Sequence, residues 1–183
     1  MFYQDDIVEN NLIRYMKGTD LFETLIKYNN YFIFGGAIRD AFNNKNECDD
    51  IDILCIDENL QLPFATQLAD VNGSMCGLNK DSRDIKLAGS RFRYDNKLKV
   101  DIMYPIKIEH RNIVGLFNVI NSVDMSVSGI AYHHTFKFIE VVPSAIEYCK
   151  RKIFRVNTNV DGYNGNTEDR INKLIKLGYL RVN

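Results

Sequence analysis

The sequence predicts an α+β fold, a mixed sheet of about four or five strands with helices packed on one face. Three observations predict it: short aromatic or branched apolar runs of strand length, intervening segments with helical apolar spacing, and glycine or polar clusters that separate the two. Leu12, Ile13 and Met16, then Leu21, Phe22, Leu25 and Ile26, recur at helical spacing. Gly18 divides them into two helices, and Asp20 with Glu23 can form a capping box for the second. Tyr31-Phe32-Ile33-Phe34 has strand character, and Gly35-Gly36 ends it where a helix beginning near Ala37 can start. The branched apolar content of Ile51 to Ile56 favours a second strand. Arg91 to Tyr94 and Leu98 to Met103 are strand-like runs around Asp95-Asn96-Lys97, a hairpin turn. A helix around Ile108 to Asn121 is expected to cover further sheet surface. Thr135 to Val141 alternates like a half-exposed strand, and Thr167 to Leu177 reads as a capped amphipathic helix followed by Gly178.

A chain of 183 residues fits one domain spanning 1–183, and a domain of this size buries about 70% of its unfolded surface, enough for one substantial core. No repeat or low-complexity linker interrupts it. The formal net charge of −1 excludes a surface that is polyanion-binding throughout. Residues 150–183, however, carry eight basic side chains against three acidic ones. That surplus permits a nucleic-acid or triphosphate contact, with a solvated helix face as the plain alternative. Cys48, Cys55, Cys76 and Cys149 show no paired spacing, and Met1 to Asp6 is too polar and acidic for a signal peptide. No apolar run reaches the roughly 20 residues needed to cross a bilayer. These features set the expectation of a cytoplasmic chain with free thiols and no membrane partner. His133-His134 lacks a third ligand at a recognised spacing.

Chemistry concentrates between Tyr31 and Leu54. Glycines at the end of a strand let backbone N–H groups approach a ligand, and the first turn of a helix has unpaired donors, so Gly35 and Gly36 can present a phosphate cradle. Read alone, the pair is only a turn. Asp50 and Asp52 stand two residues apart in a strand, so both carboxylates point to one face. Read without basic neighbours they repel, and a hard divalent cation, Mg²⁺ or Mn²⁺, is the economical remedy. Read alone, Glu47, Asp49 and Asp50 are a solvated loop. Asp101, mid-strand in a mostly apolar stretch, is the candidate third carboxylate for two-metal phosphoryl chemistry; an acid at a wet sheet edge is the alternative.

In conjunction, Gly35-Gly36, Arg39-Asp40 and Asp50-x-Asp52 resemble the head domain of the class II CCA-adding enzymes and bacterial poly(A) polymerases, within the DNA polymerase β-like nucleotidyltransferase superfamily. The core of the resemblance covers about residues 30–135; residues 143–183 form an extension with a basic helix. It implies a Mg²⁺-dependent transfer of a nucleoside monophosphate from a nucleoside triphosphate, ATP or CTP, to a hydroxyl, with an RNA or tRNA 3′ end as the first acceptor. A protein or small-molecule hydroxyl would suit the short chain as well. It implies that Asp50, Asp52 and Asp101 are catalytic metal ligands, that Gly35 and Gly36 hold phosphates, and that Asp124, in Val123 to Tyr132, lies near the nucleotide sugar. Arg39 is either a phosphate partner or the partner of Asp40. The family's two arginines before Asp124 are Ser122 and Val123 here, and Arg170 directly follows Asp169, so no base-reading role is carried over. Two other classes stay open: a nucleotide-binding module without catalysis, and an antitoxin-like partner that modifies or masks a second protein.

Overall fold

The structure is a computed structural model that describes residues 2–17, 21–28, 30–56, 73–82, 85–94, 98–158 and 166–183. Gly18 and Asp20, expected to divide and cap the first helices, and the Asp95–Lys97 turn lie outside the described residues. Ten strands are present among them: β1 Phe2–Tyr3, β2 Tyr31–Phe34, β3 Asp50–Cys55, β4 Gly73–Ser82, β5 Ile85–Tyr94, β6 Leu98–Pro105, β7 Ile130–His133, β8 Lys137–Glu140, β9 Ile153–Phe154 and β10 Leu180–Arg181. The helices are α1 Asp6–Tyr15, α2 Leu21–Lys27, α3 Gly36–Phe42, α4 Ile113–Asn121, α5 Ala145–Arg151 and α6 Thr167–Lys176. Eight strands form one sheet in the order β1-β8-β7-β2-β3-β6-β5-β4, and β9 pairs with β10 apart from it. The sheet is mixed: β3 and β6 run parallel, and its other neighbours are antiparallel.

The α+β class and mixed sheet agree with the sequence. The sheet is wider than four or five strands because β1, only two residues long, adds to β8 at one edge and β4 extends the β5–β6 hairpin at the other. Helices also cover both faces rather than one. Alternation along the central strands explains this: Ile33, Ile51, Ile53, Val100 and Ile102 join the core under α1, α3, α5 and α6, whereas Phe32, Phe34, Leu54 and Met103 pack with Leu116, Val119 and Ile120 of α4. Two apolar faces need two covers, and α4 supplies the second.

Local chemistry sets the helix ends. Asp5 caps α1 by accepting from the Val8 N–H at 3.1 Å, and Asn112 caps α4 by accepting from the N–H groups of Val114 and Gly115, both at 3.0 Å. Behind that second cap the chain folds back so closely that a Cβ on Gly115 would lie 1.9 Å from the His110 carbonyl oxygen. Helix propensity alone favours Gly115→Ala by about 1 kcal/mol. The backbone collision reverses the sign. The substitution is expected to cost about 2–3 kcal/mol, as overpacking does, and to lower the melting temperature by roughly 4–12 °C in a thermal unfolding scan.

Candidate active site

The turn from β2 into α3 has the shape its glycines permit. Gly35 sits at φ +80° and ψ −138°, a conformation that side-chain-bearing residues rarely adopt. This turn lies directly over β3. A Cβ on Gly35 would stand 3.4 Å from Oδ2 of Asp52, and one on Gly36 would stand 3.8 Å from Oδ1 of Asp50. Both carboxylates are partly exposed, on the face opposite Ile51 and Ile53. The glycine turn and the acid pair predicted from sequence therefore meet.

Parallel pairing brings the third acid alongside. Asp52 is the Cα partner of Asp101, and Asp101 is in turn the partner of Arg91 on β5. Asp101 is fully buried on an interior strand, which excludes the wet-edge alternative. Its carboxylate accepts a two-pronged bond from Arg91, Nε to Oδ1 at 2.7 Å and Nη2 to Oδ2 at 2.9 Å. One register step away, Lys99 is the partner of Asp50 and donates to its Oδ2 at 3.0 Å. The picture of an acid pair without basic neighbours is thus corrected: Lys99 and Arg91 stand beside the acids, and sheet register put them there.

Donor chemistry decides what cation the cluster suits. Asp50 and Asp52 offer hard carboxylate oxygens beside the open glycine turn, which fits a single Mg²⁺ or Mn²⁺ ion. Arg91 bonds both oxygens of Asp101, so a cation there would share this carboxylate with a guanidinium. Consistently, among the described residues no three His, Cys, Asp or Glu side chains are grouped to hold one ion.

Around this row the charge is balanced by Arg39, whose pairing with Asp40 is one of its two sequence readings, and by Lys45 and Lys173, which sequence reasoning missed. Arg39 is buried and pairs with Asp40, Nε to Oδ1 at 2.8 Å, while Lys45 holds the other oxygen of Asp40 at 2.9 Å. Of the two readings of Arg39, the geometry has it partnered with Asp40. Burial, reinforced by the nearby charges of Asp40, Asp50 and Asp49, pushes the Cys48 thiol up to about 12. Lys173 of α6 donates to Asp49 at 3.1 Å and holds that carboxyl below its usual range.

Asp124 is buried and engaged by α6. Its Oδ2 accepts from the Thr167 hydroxyl at 2.8 Å and from Arg170 Nη1 at 2.7 Å, and its carbonyl accepts from the Asn157 N–H at 2.8 Å. The carboxylate thus anchors the start of α6. Asn166, the residue before it, makes no side-chain cap bond. Asp124→Ala leaves the buried Thr167 hydroxyl without this acceptor, a loss of about 1–3 kcal/mol. Amide exchange over residues 167–176 is expected to quicken roughly tenfold or more, with β3 and β6 less affected.

No family model matches this chain, and no curated protein matches it in sequence. Solved structures do match in fold. A CCA-adding enzyme in complex with CTP superposes with a TM-score of 0.61 at 13% identity, covering 100% of this chain and 44% of that one. The Thermotoga maritima CCA-adding enzyme in complex with tRNA gives 0.59 at 16%, covering 100% and 43%. An apo CCA-adding enzyme gives 0.57 at 19%, covering 90% and 39%. The chain spans less than half the length of these structures, and over that span its fold resembles theirs.

Proposed function

We propose that this chain is a nucleotidyltransferase that moves a nucleoside monophosphate from a nucleoside triphosphate to a hydroxyl of RNA and releases pyrophosphate. The observation that carries the reading is the pair Asp50 and Asp52 on one face of an interior strand, directly beneath the Gly35-Gly36 turn. The shared fold supports it, since the neighbours are CCA-adding enzymes, one in complex with CTP and another with tRNA.

When bound, Mg²⁺ or Mn²⁺ neutralises triphosphate charge and favours deprotonation of the attacking hydroxyl. Asp50 and Asp52 are the side chains that would hold it. Backbone N–H groups at Gly35 and Gly36 would donate hydrogen bonds to the phosphate oxygens, in room that a side chain would otherwise fill. Arg39 acts from below, fixing Asp40 and the loop that carries Lys45 and Asp49. In the transfer itself the acceptor hydroxyl loses its proton, its oxygen bonds to the α-phosphorus, and the α–β bridging oxygen departs with pyrophosphate.

The test incubates the protein with each α-labelled nucleoside triphosphate, Mg²⁺ or Mn²⁺, and total RNA or cell lysate. The expected result is label at RNA 3′ ends, most from ATP or CTP. A specific observation favours a second reading, nucleotide binding without transfer: Arg91 bonds both oxygens of the third carboxylate. A protein that binds nucleotide yet labels nothing with any of the four substrates would exchange the first reading for the second.

A further inference from the structure

The fold gathers the basic residues of the C-terminal part of the chain into one region that adjoins the acid corner. Segments 150–158 and 171–183 together carry seven basic side chains, all exposed, and no acidic one, in a chain whose net charge is −1. Parallel pairing of β9 with β10 joins the two segments: the Leu180 N–H donates to the Lys152 carbonyl and the Val182 N–H to the Phe154 carbonyl, both at 2.8 Å. From there α6 continues the series toward the candidate site. Lys176 and Lys173 are three residues apart, hence neighbours on the helix surface, and Lys173 reaches Asp49, the residue before Asp50, at 3.1 Å. That pair is exposed at both ends and is worth below about 1 kcal/mol, so Lys173 can exchange Asp49 for another anion. Among the described residues the side chains of Lys152, Lys176 and Arg181 make no ion pair or hydrogen bond. Lys150 and Arg155 lie over the rings of Tyr3 and Tyr148, at 4.3 and 5.6 Å, contacts that hold the cations without cancelling their charge. An ordinary solvated face intersperses both signs of charge, which relieves repulsion; here the relief has to come from a bound polyanion.

We infer that this region, from Lys173 outward through Lys176 to Arg181 and Lys152, holds the phosphate backbone of the RNA whose 3′ hydroxyl is presented at the acid corner. A free triphosphate is too short to meet cations spread from the middle of α6 to β10, whereas a chain of phosphates can follow them. The inference rests on the reading of RNA as the acceptor and adds where that RNA is gripped and how. Cations that touch phosphates fix register and orientation without reading sequence, so the grip is electrostatic and salt-dependent.

Fluorescence anisotropy on the full chain tests this without reference to turnover. The probe is a 5′-labelled RNA hairpin with a single-stranded 3′ tail, titrated across a series of salt concentrations. The variant Lys152→Gln/Lys176→Gln/Arg181→Gln removes three cations that hold no ion partner. Its RNA affinity is expected to fall roughly 10²-fold near ~0.1 M salt, and the slope of log affinity against log salt by about two, since each phosphate contact contributes about 0.7 to 0.9. Lys17→Gln/Lys27→Gln/Lys107→Gln makes the same change in net charge on exposed lysines of other elements and is expected to bind RNA as the wild type does. Isothermal titration with an α,β-methylene triphosphate analogue is expected to give one affinity for all three proteins, which separates the holding of RNA from the holding of nucleotide. Equal losses of RNA affinity in the two variants, or displacement of the RNA by polyglutamate at equal charge, overturns the inference; label at RNA 3′ ends with the wild type then still upholds the proposed transfer. Should the first variant fail to fold, the wild-type slope decides: a value below about one, a single phosphate contact, overturns the inference, and a value of about three or more supports it.

Discussion

Asp52→Asn is expected to lower incorporation of labelled nucleotide about 10³-fold while leaving the fold intact. The change keeps the side chain's size, so the strand pairing of Asp52 with Phe34 and Asp101 survives. What it removes is one of the two carboxylate charges beneath the glycine turn, which the proposed function assigns to the cation. Losing the several kcal/mol that a well-held ion contributes to phosphoryl transfer corresponds to about three orders of magnitude in rate. Stability should move little, and upward if at all: a carboxylate next to that of Asp101 on the neighbouring strand carries like-charge repulsion worth about 0.2–1 kcal/mol at most, already offset by Arg91. A rate loss joined to an unchanged or raised melting temperature marks a functional charge rather than a structural one. Retention of transfer within tenfold of the wild type would remove Asp52, and the acid pair with it, from the reaction.

How legible this was in the sequence differs element by element. Strand β2, the glycine turn and strand β3 were readable because each has a local cause: aromatic alternation, φ freedom, branched residues around period-two acids. Asp101 was readable as a mid-strand acid. Its partner was in principle readable too, since a hairpin centred on Asn96 pairs residue 91 with residue 101, as the antiparallel register does. The Lys99–Asp50 contact was not, because the parallel register of β3 and β6 is set by packing across about forty intervening residues and no local signal encodes it. The same holds for α6. Its helical period was plain, but that Arg170 and Thr167 would close on Asp124, and Lys173 on Asp49, depends on where the tertiary fold docks the helix.

These contacts together give the acid row an electrostatic frame. Asp40 is held by Arg39 and Lys45, Asp49 by Lys173, Asp50 by Lys99, Asp101 by Arg91 and Asp124 by Arg170. Such pairs on the exposed side contribute little to stability, below about 1 kcal/mol each. Their effect is positional: each fixes a carboxylate that would otherwise swing toward its neighbours. Compensation of this kind lets a fold with a net charge of only −1 hold these five acids without unfolding.

The second large effect belongs to Gly35, and its contrast with Gly36 separates strain from binding. Gly35→Ala must adopt φ +80° and ψ −138°, which costs a residue bearing Cβ about 1–3 kcal/mol. Its methyl group would also rest 3.4 Å from Oδ2 of Asp52, an ordinary van der Waals distance. Gly36 lies within α3 without a positive φ, and the nearest atoms to a Cβ there are Nη2 and Nη1 of Arg39 at 3.4 and 3.8 Å and Oδ1 of Asp50 at 3.8 Å. Gly36→Ala should therefore hold or raise stability, by up to about 1 kcal/mol from helix propensity. Gly35→Ala should lower the melting temperature by roughly 3–10 °C. Both should weaken nucleotide binding and transfer, by about 10²-fold for Gly35, where a phosphate-facing N–H is misdirected as well as crowded. Isothermal titration with the non-hydrolysable analogue and thermal scans on the same preparations read the two quantities separately. If Gly36→Ala binds as the wild type does while Gly35→Ala loses both, the turn is a structural hinge for Asp52 and the phosphates lie elsewhere on the carboxylate face. If both lose affinity and only Gly35→Ala loses stability, the glycine pair holds the triphosphate.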